Sequence, residues 1–166
     1  YDKNDNVVGM IDAESYIWSF GYDEEDRLSS AGDANGNKTF FAYDGNGNLV
    51  QIDNPDGGIE TYTYDLNDQL ISYTDGEGYT TQYAYDENGN LISITDPRGN
   101  SRTAVYDALN RQTKVTNEEG GTVEYTYDAL GRVTMAVNED GAVTKYTYDA
   151  KGRVTAIEDA YGNFRH

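Results

Sequence analysis

The chain contains no cysteine, so disulfides and thiolate metal sites are excluded. It has a single histidine, His166, which is the last residue. A Ser-His or Cys-His catalytic pair therefore has little to draw on. Cations are scarce: 12 basic residues stand against 30 acidic ones, for a net charge of −18. Such a surface repels polyanions, so neither nucleic acid nor an anionic membrane is expected as a partner. No apolar run approaches the ~20 residues of a membrane helix, and no membrane insertion is expected. There is no signal peptide and no initiator methionine, and Tyr1 opens a repeat, so a segment of a longer protein is expected. Aliphatic residues are also thin. Counted with glycine and without tyrosine, the apolar share is about 38%, against about 45–50% in ordinary globular domains. A thick aliphatic core is not expected.

Tyrosine and glycine fill the gap, with 16 and 18 copies in 166 residues. The tyrosines are periodic. "YTYDALGRVT" from Tyr125 returns as "YTYDAKGRVT" from Tyr146. A Tyr-Asp pair begins at Tyr1, Tyr22, Tyr43, Tyr64, Tyr85, Tyr106, Tyr127 and Tyr148, every 21 residues without insertion. Counting that tyrosine as position 1, position 12 is Asp or Asn in every copy. Position 15 is glycine in Gly36, Gly57, Gly78, Gly99, Gly120, Gly141 and Gly162, with Ser15 the exception. Position 20 is aromatic except at Ala104. Residues 1–166 are thus expected to form one array of eight repeats, with no linker and no second domain.

Each repeat predicts two strands and two tight turns. In "GGIETYTYD", Ile59, Thr61 and Thr63 alternate with Glu60, Tyr62 and Tyr64, which is the period of a strand. The polar stretch after Tyr-Asp reads as a turn. Gly47, Gly89, Gly131 and Gly152 tolerate positive φ, and Asp26, Asp68 and Asn110 are the next best residues for it. A second strand such as "RVTAI" follows, and Asp/Asn-x-x-Gly closes the unit. The expected fold is all-β, an antiparallel meander of tandem 21-residue hairpins. Two turn signals per 21 residues leave no room for a helix of ordinary length.

The candidate structural residues follow. Tyr22, Tyr43, Tyr64, Tyr85, Tyr106, Tyr127 and Tyr148 are expected to form a row across the strands, packed on their counterparts. Asp23, Asp44, Asp65, Asp86, Asp107, Asp128 and Asp149 are expected to start Asx-turns, in which the carboxylate accepts nearby backbone N–H groups, and the position-15 glycines to complete the second turn. An ion pair with position 6 explains the aspartate less well, because that position is Arg in only Arg27, Arg111, Arg132 and Arg153. "DGNGN" at Asp44, "DANGN" at Asp33 and "DENGN" at Asp86 space oxygens as a calcium loop does, but no glutamate closes the loop. No metal, cofactor or catalytic residue is assigned, and the chain is not read as an enzyme. The first repeat, "GMIDAESYIWSFGYD", is the least regular, as terminal repeats often are.

The unit Y-D-x-x-G-R-L…D-x-x-G…Y-x-Y-D resembles the Rhs/YD repeat over the whole chain. The best copies are "YDALGRVTMAVNEDGAVTKYTYD" from Tyr127 and "YDENGNLISITDPRGNSRTAVYD" from Tyr85. The resemblance implies a continuous antiparallel spiral sheet of hairpins, which forms a shell, strip or fibre. Relatives include bacterial toxin-delivery proteins, whose shell encloses a toxic domain, wall-associated proteins, and the animal teneurins. It also implies a secreted or cell-surface setting, with further YD repeats, copies of itself or an enclosed cargo as partners. The D-P-x-G-L-type core segment of the bacterial shells is absent; "DPRGN" at Asp96 reads as an ordinary second turn. Toxicity and self-cleavage are accordingly not assigned. The leading expectation is a structural module, wall, stalk or shell. The alternative is an adhesion module binding glycans or protein through its tyrosines.

Overall fold

A computed structural model describes residues 1–165. Among them there is no helix. Sixteen strands occur, from β1 (Gly9–Ile11) to β16 (Phe164–Arg165), and within each compact unit of the chain their order in the sheet is their order in the sequence. The chain divides into two compact units, Tyr1–Gln82 and Tyr83–His166. The division falls inside β8 (Thr80–Tyr85).

In the first unit, β2 (Ile17–Tyr22), β4 (Lys38–Tyr43) and β6 (Ile59–Tyr64) end on the position-1 tyrosine. They alternate with β3 (Leu28–Gly32), β5 (Leu49–Asp53) and β7 (Leu70–Thr74). The second unit repeats the pattern. Its six-residue strands are β10 (Ser101–Tyr106), β12 (Thr122–Tyr127) and β14 (Val143–Tyr148). Its five-residue strands are β9 (Leu91–Thr95), β11 (Gln112–Thr116), β13 (Val133–Val137) and β15 (Val154–Glu158).

Toward the C-terminal end of every six-residue strand except β2, burial alternates with period 2. In β4, Thr39, Phe41 and Tyr43 are half-buried while Lys38, Phe40 and Ala42 are exposed. In β14, Thr144, Tyr146 and Tyr148 are covered while Lys145 and Thr147 face water. One face of the sheet thus carries the aromatic positions 20 and 1. No side chain among the described residues is fully buried. The structure is one sheet thick in each unit, and its covered side chains are only partly buried.

A bulge selects which residues join that face. Thr126 pairs with Met135, but Tyr127 pairs with Val133, so Thr134 has no opposite number. The same one-residue slip occurs where Tyr22, Tyr43, Tyr64, Tyr106 and Tyr148 begin the turn. Directly opposed residues share a face. Position 7 therefore faces the same way as position 1, and position 10 the same way as position 20. A plain strand would have put positions 7 and 10 on opposite faces. The bulge brings Leu49 and Ile52, or Val133 and Ala136, onto the aromatic side together.

Candidate interface between repeats

Both turns of the repeat are one device used twice. Asp23 N–H donates to the Arg27 carbonyl at 2.9 Å, and Asp26 N–H to the Asp23 carbonyl at 3.2 Å. Ten residues on, Asp33 N–H donates to the Asn37 carbonyl at 2.9 Å and Gly36 N–H to the Asp33 carbonyl at 3.0 Å. This is a type I turn followed by one left-handed residue, the three-residue hairpin loop. The left-handed site is Gly36 at φ 86° in one turn and Asp26 at φ 61° in the other. Gly57, Gly78, Gly99, Gly120, Gly141 and Gly162 occupy the same place in their repeats, with φ from 75° to 90°. Ser15 holds it at φ 68°, where an L side chain is strained.

The aspartate serves the turn with one oxygen and position 6 with the other. Asp107 Oδ1 accepts the Leu109 and Arg111 backbone N–H groups at 2.9 and 3.1 Å, while its Oδ2 accepts Arg111 Nε–H at 2.8 Å. Asp23, Asp128 and Asp149 do the same with Arg27, Arg132 and Arg153. Where position 6 is Asn, its Nδ2–H takes the place of the guanidinium, as Asn48 does on Asp44 at 3.1 Å and Asn90 on Asp86 at 2.9 Å. Asp65 Oδ1 accepts the Asn67 and Gln69 N–H groups. The Asx-turn and the side-chain pair are thus not rivals but the two halves of one carboxylate. These bonds hold the carboxyls of Asp107, Asp86 and Asp128 below their usual 3.8, with the Arg111 side chain first at Asp107, the Asn90 side chain first at Asp86 and the Arg132 backbone N–H first at Asp128.

The tyrosines tie each repeat to the one before. The phenol of Tyr43 donates to the Leu28 carbonyl at 2.9 Å, Tyr64 to Leu49 at 2.9 Å, Tyr127 to Gln112 at 2.6 Å and Tyr148 to Val133 at 2.6 Å. Tyr22 and Tyr106 reach Val7 and Leu91 in the same way at 3.1 Å. Tyr85 ends β8 at the matching position. A guanidinium also lies over three of these rings. The Arg27 guanidinium lies 4.8 Å from the Tyr43 ring centre, Arg111 lies 4.7 Å from Tyr127 and Arg132 lies 4.6 Å from Tyr148. The arginine of one repeat covers the tyrosine of the next, a cation–π contact.

Two places break the repeat. On the covered face of the first unit, Glu60 accepts the hydroxyls of Tyr62 and Tyr73 on Oε2, both at 3.0 Å, and Asn54 Nδ2–H on Oε1 at 2.9 Å. The two rings lie 5.0 Å apart, directly opposed across β6 and β7. Those three bonds, Asn54 foremost, lower the Glu60 carboxyl, while burial and then the Glu60 bond push the Tyr62 phenol up to about 12. In the second unit, Ala104 replaces the aromatic of position 20. It leaves a shallow pit of about 200 Å³ lined by Leu91, Ile94, Tyr106 and Val115, with Arg102 beside it. Among the described residues no group of three carboxylate, histidine or cysteine side chains is placed to hold a metal. His166, on which the argument against triad catalysis turned, lies outside the described residues.

The family model described as the teneurin YD-shell matches residues 55–165, and the Rhs repeat model matches residues 1–38. Nothing among the curated proteins matches. Among solved structures, the crystal structure of TcdB2-TccC3-Cdc42 is 21% identical over 87% of this chain, with a TM-score of 0.66. The Photorhabdus luminescens Tc holotoxin pore is 21% identical over 90%, with a TM-score of 0.67. The chain spans 9% of the length of each of these solved chains. The likeness to them is one of fold: tandem antiparallel hairpins in chain order. With two thirds of its residues matched by one model and its first repeats by the other, this chain belongs to the teneurin YD-shell family of Rhs/YD-repeat proteins.

Proposed function

We propose that residues 1–166 are a wall segment, one array of eight YD repeats within a larger secreted or cell-surface protein, and that the wall encloses a cargo of the toxin-delivery kind. Family members are structural shell repeats, and the fold neighbours include a Tc holotoxin. The observation that carries the reading is where the chemistry is spent. The aspartates shape turns, the position-1 tyrosines bond the preceding repeat, and the arginines cover the next tyrosine. Their polar groups act within and between repeats, as a wall requires and a catalytic centre does not. In this reading Tyr22, Tyr43, Tyr64, Tyr85, Tyr106, Tyr127 and Tyr148 are structural. So are the aspartates that follow them and the position-15 glycines, and the chain has no enzymatic role.

The test uses the full-length parent protein. Deleting residues 64–105 removes two whole repeats and keeps every remaining hairpin in phase. Segments enclosed by the wall should then become protease-sensitive while the far-UV spectrum stays β-rich. Unchanged protection after the deletion would overturn the enclosing role. Binding of the intact protein to immobilised glycans that is lost on removing the tyrosine rings would move the assignment to adhesion.

A further inference from the structure

Position 6 of each repeat and position 5 of the next vary together. Asn6 is followed by Asp26, Asn48 by Asp68 and Asn90 by Asn110. Arg27 is followed by Gly47, Arg111 by Gly131 and Arg132 by Gly152, and Gln69 by Gly89. Asparagine always precedes a residue with a side-chain oxygen, and the longer side chains always precede glycine. Backbone conformation does not explain the split. Asp26, Asp68 and Asn110 sit at φ 59–61°, and Gly47, Gly131 and Gly152 at 80–93°. All are left-handed, where glycine is the least strained choice. Something other than the turn keeps Asp and Asn at three of these places.

Two different interlocks account for it. In the arginine form, Nη1 of Arg27 donates to the Asp44 carbonyl at 3.2 Å, Arg111 to Asp128 at 2.9 Å and Arg132 to Asp149 at 3.3 Å. The same guanidinium lies on the ring of the next tyrosine. In two of the three, the glycine that follows stands beside it, and at Gly131 the space is open. A Cβ built on Gly47 would lie 3.9 Å from Arg27 Nη1, and one on Gly152 would lie 4.0 Å from Arg132 Nη1. A bare methyl fits there. A carboxylate beyond it would draw the guanidinium off the ring and the carbonyl.

In the asparagine form the side chain is too short to span the next tyrosine, and the next repeat reaches back instead. Asp26 Oδ1 accepts Asn6 Nδ2–H at 2.8 Å and Asn4 Nδ2–H at 2.6 Å. Asp68 Oδ1 accepts Asn48 at 2.7 Å and Asn46 at 2.8 Å, and Asn110 Oδ1 accepts Asn90 at 2.9 Å. Glycine in these places would leave each asparagine amide with its own repeat's aspartate alone.

We propose that position 6 and the following position 5 are the specificity determinants of the repeat–repeat interface. Position 6 selects the hairpin that packs against it: Tyr-Asp-x-x-Gly after arginine, Tyr-Asp-x-x-Asp or -Asn after asparagine. The partner recognised is a YD hairpin of the matching form, in the same chain or on another one. This rests on the reading of the chain as a wall of packed hairpins.

The experiment is a double-mutant cycle in the 166-residue chain: Asn48→Arg, Asp68→Gly and the two together. Native-state hydrogen exchange of the Asp65–Gln69 turn amides is the readout. Asn48→Arg should lower protection when Asp68 is kept and raise it when Asp68→Gly is present, a coupling of about tenfold. In the double variant the new arginine should show proton contacts to the Tyr64 ring. The reverse cycle, Arg132→Asn with Gly152→Asp, should couple in the same sense at the Asp149–Arg153 turn and covers the case in which the first set folds poorly. Effects that add to within about twofold in both cycles would overturn the pairing rule. A wild-type chain lacking a β-rich far-UV spectrum would instead overturn the wall reading.

Discussion

Tyr127 is the position at which the energetics of the interface are best separated. Its phenol donates to the Gln112 carbonyl at 2.6 Å, and its ring lies under Arg111 at 4.7 Å. Tyr127→Phe removes the hydroxyl alone and should cost about 0.5–1.5 kcal/mol, the net value of one such bond. Tyr127→Ala also removes the ring. Full burial would make that about 3–5 kcal/mol, and the half-buried setting here brings it to about 2–3. Roughly 0.5–1 kcal/mol of this belongs to the guanidinium, and a cycle with Arg111→Ala isolates it. Tyr127→Phe keeps that share and Tyr127→Ala does not. Tyr1→Ala is the control, since Tyr1 is 83% exposed and its loss should stay within about 0.5 kcal/mol. A repeat array opens locally, so a global melting curve blurs the effect. Hydrogen exchange should place the loss in β11 to β14 and leave β2 to β5 unchanged. Equal, small effects of Tyr127→Ala and Tyr1→Ala would refute the reasoning and free the ring for an external ligand.

Acid should loosen the turns. Asp86, Asp107 and Asp128 are held below the usual 3.8, so their contribution is complete above about pH 4 and is lost as pH falls through the lowered values. Turn-amide exchange between pH 5 and pH 2 checks this, and a turn signal flat across that range would contradict it. In an alkaline absorbance titration, Tyr62 should ionise near pH 12, and Glu60→Gln, which removes the charge it is bonded to, should lower that value. Chelation should leave the melting temperature unchanged, because the turn aspartates are occupied by N–H donors. A large drop reversed by calcium would show a bound ion instead.

Much of the fold is legible in the residues because each turn is specified locally. Tyr-Asp, the position-12 Asp or Asn and the left-handed glycine recur at fixed spacing, and Asp26, Asp68 and Asn110 take the positive φ that their position implies. The bulge at position 8 is less legible. "RVTAI" reads as a plain alternating strand, and only the register of Tyr127 on Val133 reveals that positions 7 and 10 share a face. The tyrosine row is legible only in part. Like residues in register suggest packing on their counterparts, and the phenols of Tyr22, Tyr43, Tyr64, Tyr106, Tyr127 and Tyr148 also donate to a carbonyl 15 residues earlier; backbone acceptors leave no mark in a sequence. The arginine over the ring left a mark that is easy to discount, since position 6 is Arg in half the repeats and amide-bearing in the rest. The Glu60 network shows as an acid on a strand face that carries Thr39 and Thr81 at the matching places. Its partner Tyr73 stands where other repeats have small or aliphatic residues or Met10.

The absence of a buried core decides how such a chain is held together. With no fully buried side chain among the described residues, area removed from water is spread thinly, and each repeat alone has little to stand on. What remains is local turn formation and the contacts with two neighbours. Both are supplied by the same few atoms. The aspartate that fixes a turn also holds the position-6 side chain at the angle from which it reaches the next repeat. Removing that carboxylate should therefore weaken two things at once, the turn of its own repeat and the interlock beyond it. Asp107→Asn keeps an acceptor for the backbone N–H groups but offers Arg111 no charge, so it should spare the turn and loosen the guanidinium on Tyr127. Asp107→Ala should damage both. The proton contacts between Arg111 and the Tyr127 ring distinguish the cases. If they survive Asp107→Ala, the arginine is positioned by the ring alone, and turn and interlock are independent.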